Sequence, residues 1–119
     1  MTAETMIPTI SLDFKKQRIR IPRQTLHMMK DPDYVQLLVN PVQHTVILRA
    51  CRNKDFQSHR MNYSSQNDIE LYSKELLHQL STILPVRNEG KTLRVPGSVH
   101  IERGLAVFEM DNTAPAETK

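Results

Sequence analysis

The sequence predicts an α+β domain whose mainly antiparallel sheet is made of hairpins, with one long amphipathic helix and one short helix. Three observations carry this reading. Apolar residues alternate with period two in paired runs joined by polar turns; one apolar stripe recurs at helical spacing over residues 68–84; and strands and helices segregate along the chain, which disfavours a doubly wound parallel sheet.

In chain order, Ile10, Leu12 and Phe14 alternate with Ser11 and Asp13, and Ile19 and Ile21 alternate with Arg18 and Arg20, which predicts a first hairpin. Pro22 ends its second strand, since proline donates no ladder hydrogen bond, and opens a short helix over 24–29 with Leu26 and Met29 inward. Residues 34–40 and 45–51 form the clearest hairpin, its connection begun by Asn40-Pro41. Leu38 and Ile47 stand at the opposite parity to Val35, Leu37, Val39, Val46 and Leu48. The pair therefore reads as central, covered on both faces by a helix, another sheet or a second subunit. A short edge strand fits within 58–63.

The long helix is read over 68–84, with Ile69, Tyr72, Leu76, Leu77, Leu80, Ile83 and Leu84 on one stripe, Asn67 as N-cap, Glu70 three residues later and Pro85 as the stop. A loop around 86–90 leads to strands over 92–95, 99–101 and 105–110, with turns at Pro96-Gly97 and Glu102-Arg103-Gly104. Residues 111–119 lack periodic apolar pattern and read as a flexible tail on a single domain spanning 1–110.

Composition narrows the function classes. The chain of 119 residues is 39% hydrophobic and 24% charged, ordinary for a globular domain. One cysteine, Cys51, allows no internal disulfide, no stretch approaches the roughly 18 apolar residues of a membrane span, and residues 1–10 lack the pattern of a secretory signal. The expectation is a cytoplasmic protein with no membrane partner. Charge is uneven: residues 1–63 hold ten Lys/Arg against five Asp/Glu, and residues 64–119 hold six against eight, which together make the net +3. The basic half suits a polyanion, yet the total is small for a protein whose main task is gripping nucleic acid.

No catalytic, metal or nucleotide motif stands out. His27, His44, His59, His78 and His100 lack the i, i+3 or i, i+4 pairing of metal-binding helices, and Gly90, Gly97 and Gly104 sit in turn contexts without forming a phosphate loop. Cys51 ends an apolar strand and reads as a small hydrophobe; Glu70 and Glu75 read as solvent-facing positions of the long helix. Neither an enzyme activity nor a cofactor is expected.

The basic turn of the first hairpin leaves Lys16, Arg18 and Arg20 at one strand parity, a candidate binding face. The run from Asp13 to Pro22, the short helix after it, and the strands 34–40 and 45–49 resemble the swapped-hairpin DNA-binding module of AbrB-type and MraZ-type bacterial regulators. That resemblance implies a homodimer whose interleaved hairpins present arginines to duplex DNA, and it implicates Lys16, Arg18, Arg20 and Arg23; with Lys15 these form the candidate nucleic-acid-binding set. The sequence departs from the module at Gln17, where the family has glycine, by one extra residue between Asp13 and Arg18, and at Leu26 and His27, where the family has DNA-contacting arginines. Two functional expectations follow. The first is a non-catalytic protein-interaction or accessory module, which meets a protein partner through an exposed strand edge or by self-association; the alternative is a DNA-binding regulator-like protein using the hairpin over 15–23 on duplex phosphates.

Overall fold

The computed structural model describes residues 7–64, 68–83, 92–112 and 114–115. Their strands are β1 (Thr9–Asp13), β2 (Arg18–Ile21), β3 (Tyr34–Asn40), β4 (Thr45–Cys51), β5 (His59–Arg60), β6 (Ile69–Tyr72), β7 (Thr92–His100), β8 (Leu105–Glu109) and β9 (Ala114–Pro115), with helices α1 (Arg23–Met28) and α2 (Lys74–Ser81). The strands join in one antiparallel sheet of order β5-β3-β4-β8-β7-β1-β2-β6, with β9 also against β7.

The two hairpins expected from period-two alternation are present, β1 with β2 and β3 with β4, the latter over the expected residues. Their inward residues meet α1 and α2 in one core: Ile10, Leu12, Ile19, Ile21, Leu26, Val35, Val46, Leu48, Leu77, Leu80 and Phe108 are among its members. Removing this apolar surface from water is the main force holding the two halves of the sheet around one interior.

The long helix over 68–84 is corrected. Its first turn is the strand β6, paired with β2 through Arg18↔Tyr72, Ile19↔Leu71, Arg20↔Glu70 and Ile21↔Ile69. Ile69, Tyr72, Leu76, Leu77 and Leu80 satisfy a helical stripe on paper, but Ile69 and Leu71 alternate as in a strand, and the open edge of β2 supplies a hydrogen-bond ladder that selects the strand. The helix begins only at Lys74, where the Ser73 hydroxyl accepts from the Leu76 N–H at 3.2 Å and satisfies an otherwise orphaned donor. The expected cap Asn67 and the expected stop at Leu84 and Pro85 lie outside the described residues.

A second correction concerns Pro96-Gly97, expected as a turn and found inside the nine-residue strand β7. The Gly97 N–H donates to Pro8 O toward β1, so by the alternation of a strand Pro96 faces the opposite edge. On that edge β8 pairs from Gly97 onward and β9 only at Leu93 and Arg94, so the missing proline N–H falls where no strand asks for it. β7 thus serves both halves of the sheet, its first part pairing with β1 and its last part with β8. Ile101, expected in a strand, starts a 3-10 turn that closes at Gly104 with φ +66°, and Met110 likewise leaves β8 for a 3-10 turn. Ala114–Pro115, within the segment read as a tail, pairs with β7.

The β3–β4 pair is covered on its inner face and only in part on its outer one, where Gln36, which donates to Phe56 O, and Thr45 are buried. Its inner face packs on the core, but Leu38 on the outer face remains 42% exposed. No helix among the described residues is long and apolar enough to cross a membrane.

Candidate functional site

The first hairpin places its basic residues in three different settings. Lys15 and Lys16 project from the exposed turn, where Gln17 adopts φ 55°, the left-handed conformation that favours glycine. Arg18 and Arg20 stand on the outer face of β2 by the same alternation that buries Ile19 and Ile21. Arg23 opens α1 and lays its guanidinium over the Tyr63 ring, 4.8 Å from the centroid. The Tyr63 hydroxyl donates to Pro32 O at 2.6 Å. Burial, followed by the Asp31 charge, pushes its phenol up to about 12 against the opposing pull of Arg23.

The two central arginines are engaged within the fold. Arg18 Nε donates to Asp13 Oδ2 at 3.0 Å and its Nη1 to Glu70 Oε2 at 2.8 Å, while Arg20 Nη2 reaches the same Glu70 oxygen at 3.2 Å. Tyr72 donates its hydroxyl to Glu70 Oε1 at 3.1 Å, and the Lys16 N–H donates to Asp13 Oδ1. Glu70, expected on a helix facing solvent, is instead the clasp between β2 and β6. Desolvation raises the Asp13 carboxyl, but the Lys16 N–H and the Arg18 guanidinium outweigh it and hold the group below its ordinary value. Glu70 is likewise held low, since its hydrogen bonds from Tyr72 and Arg20 and the charges of Arg18 and Arg20 exceed its desolvation.

Depressed carboxylate values set the sign of the acid response. The stabilisation is present above the unfolded values near about pH 4 and is lost as pH falls through the lower folded ones. The urea midpoint of the wild type is expected to drop on acidification below about pH 4, and Glu70→Gln is expected to have a lower midpoint at neutral pH and a shallower acid slope. Equal slopes in the two proteins would remove Glu70 from this role.

Sequence reasoning missed Arg94. The register Arg94↔Ser11↔Arg20↔Glu70 sets it on the same outer face, exposed, and its signal was the alternation with buried Leu93 and Val95. With Arg18, Arg20 and Arg94 set against Asp13 and Glu70, the face is far less positive than its arginine count suggests. Both outer edges of the hairpin are occupied within the chain, β1 by β7 and β2 by β6.

A second site lies at the free end of the sheet. β5 pairs with β3 only at Tyr34 and Val35, and Asp33 O accepts from Met61 N. Backbone groups of an antiparallel strand point to alternate edges, so Leu37 and Val39 direct their N–H and C=O groups to the same edge as Asp33 and Val35. Among the described residues no strand pairs with them there. The edge opens on a groove of about 360 Å³, walled by Leu37, Leu38 and Val39 on one side and by Ser73, Glu75, Leu76 and Gln79 of α2 and its cap on the other, with Gln57 and His59 at one end. Burial lowers the His59 pKa, which favours the neutral imidazole there. The groove had no signal in the sequence, because β3 and α2 are more than thirty residues apart.

Cys51 is partly buried, and desolvation followed by the Asp55 charge pushes its thiol up, away from a reactive thiolate. Among the described residues no group of three or more His, Cys, Asp or Glu side chains is placed to hold a metal ion. No family model, curated protein or solved structure matches the chain.

Proposed function

We propose that this protein is a non-catalytic protein-interaction module that takes an extended peptide segment along the free edge of β3, between that strand and α2. The carrying observation is the unpaired edge at Leu37 and Val39 facing a groove of mixed polar and apolar lining with a helical wall. Strand addition draws affinity from main-chain hydrogen bonds and selectivity from side-chain pockets, and both are on hand here. The open stretch from Leu37 to Asn40 accommodates about four residues at ~3.3 Å each. The DNA-binding reading is less well supported, because Arg18 and Arg20 already neutralise Asp13 and Glu70.

The test is selection from a displayed library of random decapeptides, followed by calorimetry on the recovered sequences. Leu37→Pro deletes one edge N–H while leaving the β4 ladder intact, and Leu37→Ala controls for the lost side chain. Binding is expected to weaken about tenfold more in the proline variant than in the alanine variant, the scale of one or two hydrogen bonds. Equal effects of both substitutions would reject strand addition. A mixed duplex bound in a salt-dependent manner, and released by Lys15→Ala/Lys16→Ala, would transfer the function to the basic turn.

A further inference from the structure

We propose that the outer face of β3, β4 and β8 is the seat of a second copy of this chain, packed face to face about a two-fold axis running along the row Leu38–Ile47–Val107. The strand register orders this face into three rows. Leu38↔Ile47↔Val107 is the middle row and is wholly aliphatic. On one side lie Gln36↔Arg49↔Leu105, and on the other Asn40↔Thr45↔Glu109. An aliphatic row at the outward parity of a sheet is what a face awaiting a partner requires, and nothing among the described residues relieves Leu38 of its 42% exposure.

Charge selects the occupant and its orientation. Arg49 and Glu109 are exposed, lie on neighbouring strands and stand on opposite sides of the apolar row. The Arg49 guanidinium is steered across the face by Gln36 Oε1, and Asn112 Nδ2 donates to Glu109 Oε1. Among the described residues neither side chain forms an ion pair. A two-fold axis along the row exchanges the two polar rows, so each copy sets its Arg49 against the Glu109 side of the other, twice per dimer. An axis along the strands would instead set Arg49 against Arg49, which like-charge repulsion disfavours. The face is therefore complementary to itself in one orientation. This dimer differs from an interleaved-hairpin one, because it leaves every strand in its own chain.

The face is three strands wide at ~4.8 Å and about five residues long at ~3.4 Å, a footprint of roughly 250 Å² per copy. That is well below the ~800 Å² per partner of a stable specific interface, so the dimer is expected to be weak and to dissociate on dilution. Sedimentation equilibrium from about 1 µM to about 500 µM is expected to show the mass rising from 13.8 kDa toward twice that value. Ile47→Glu is expected to hold the protein at the lower mass throughout, with its circular dichroism unchanged. Arg49→Glu and Glu109→Arg, both at exposed positions, are each expected to weaken association about tenfold, and the double variant to recover it, with circular dichroism confirming that each variant is folded. A wild type that stays monomeric at the highest concentration overturns the proposal, as does a dimer indifferent to Ile47→Glu or one whose charge reversals fail to compensate. Leu38 borders both the face and the β3–α2 groove, but Ile47, Arg49 and Glu109, where the substitutions are made, do not line the groove, so these variants test self-association separately from peptide binding.

Discussion

Gly97→Ala is expected to destabilise the protein by about 2–3 kcal/mol, a large effect for one methyl group. A Cβ at this position would stand 2.2 Å from Val107 O and 2.6 Å from Phe108 Cδ1. The obstacle is therefore spacing between strands and not backbone torsion. Gly97 pairs with Phe108, a fully buried ring, and β7 can run past it only because no side chain intervenes. Trimming the ring should not rescue the variant, because the shorter contact is to a backbone carbonyl that cannot withdraw without breaking the β7–β8 ladder. Gly97→Ala/Phe108→Leu is accordingly expected to be less stable than either single variant, and thermal unfolding of the four proteins checks it. For a chain of this length the single change corresponds to a fall in Tm of roughly 10 °C. A double variant as stable as Phe108→Leu alone would show that the ring, and not Val107 O, limits the approach.

Glu70→Lys is expected to lower Tm by roughly 5–10 °C and to loosen β6 ahead of the rest of the sheet. The substitution removes the carboxylate shared by Arg18 and Arg20 and puts a third cation beside them. It also removes the acceptor of the Tyr72 hydroxyl. β6 is four residues long and pairs only with β2 among the described residues, so a repulsive residue at its centre has little ladder to oppose it. Because α2 follows β6 after the single residue Ser73, loosening β6 should displace the helical wall of the groove as well. Amide hydrogen exchange is the discriminating measurement. Selective loss of protection in 69–81 supports the clasp, whereas uniform loss would make Glu70 one stabilising residue among many.

Much of the fold was legible because its determinants are local. Alternation of Ile10 and Leu12, of Ile19 and Ile21, and through Tyr34–Asn40 and Thr45–Cys51 sets strands wherever one face is buried, and the short turns between them leave only antiparallel pairing. The places where local pattern misled are those where a distant strand cast the deciding vote. Residues 69–72 are compatible with helix or strand, and the open edge of β2 chose the strand. Pro96-Gly97 resembles a turn until β8 and β9 leave a gap for the proline and a close approach for the glycine.

The candidate site divides in the same way. The sequence by itself determined which residues carry charge and at which strand parity they stand, so that Arg18 and Arg20 share a face, with Lys15 and Lys16 on the turn before them. It held no information on what those charges would meet. Glu70 reaches Arg18 from 52 positions away, and that ion pair turned a basic stripe into a nearly balanced network. The free edge of β3, the α2 wall opposite it and the self-complementary outer face were likewise decided by tertiary structure, because each depends on residues brought together by register across the sheet and not by spacing along the chain.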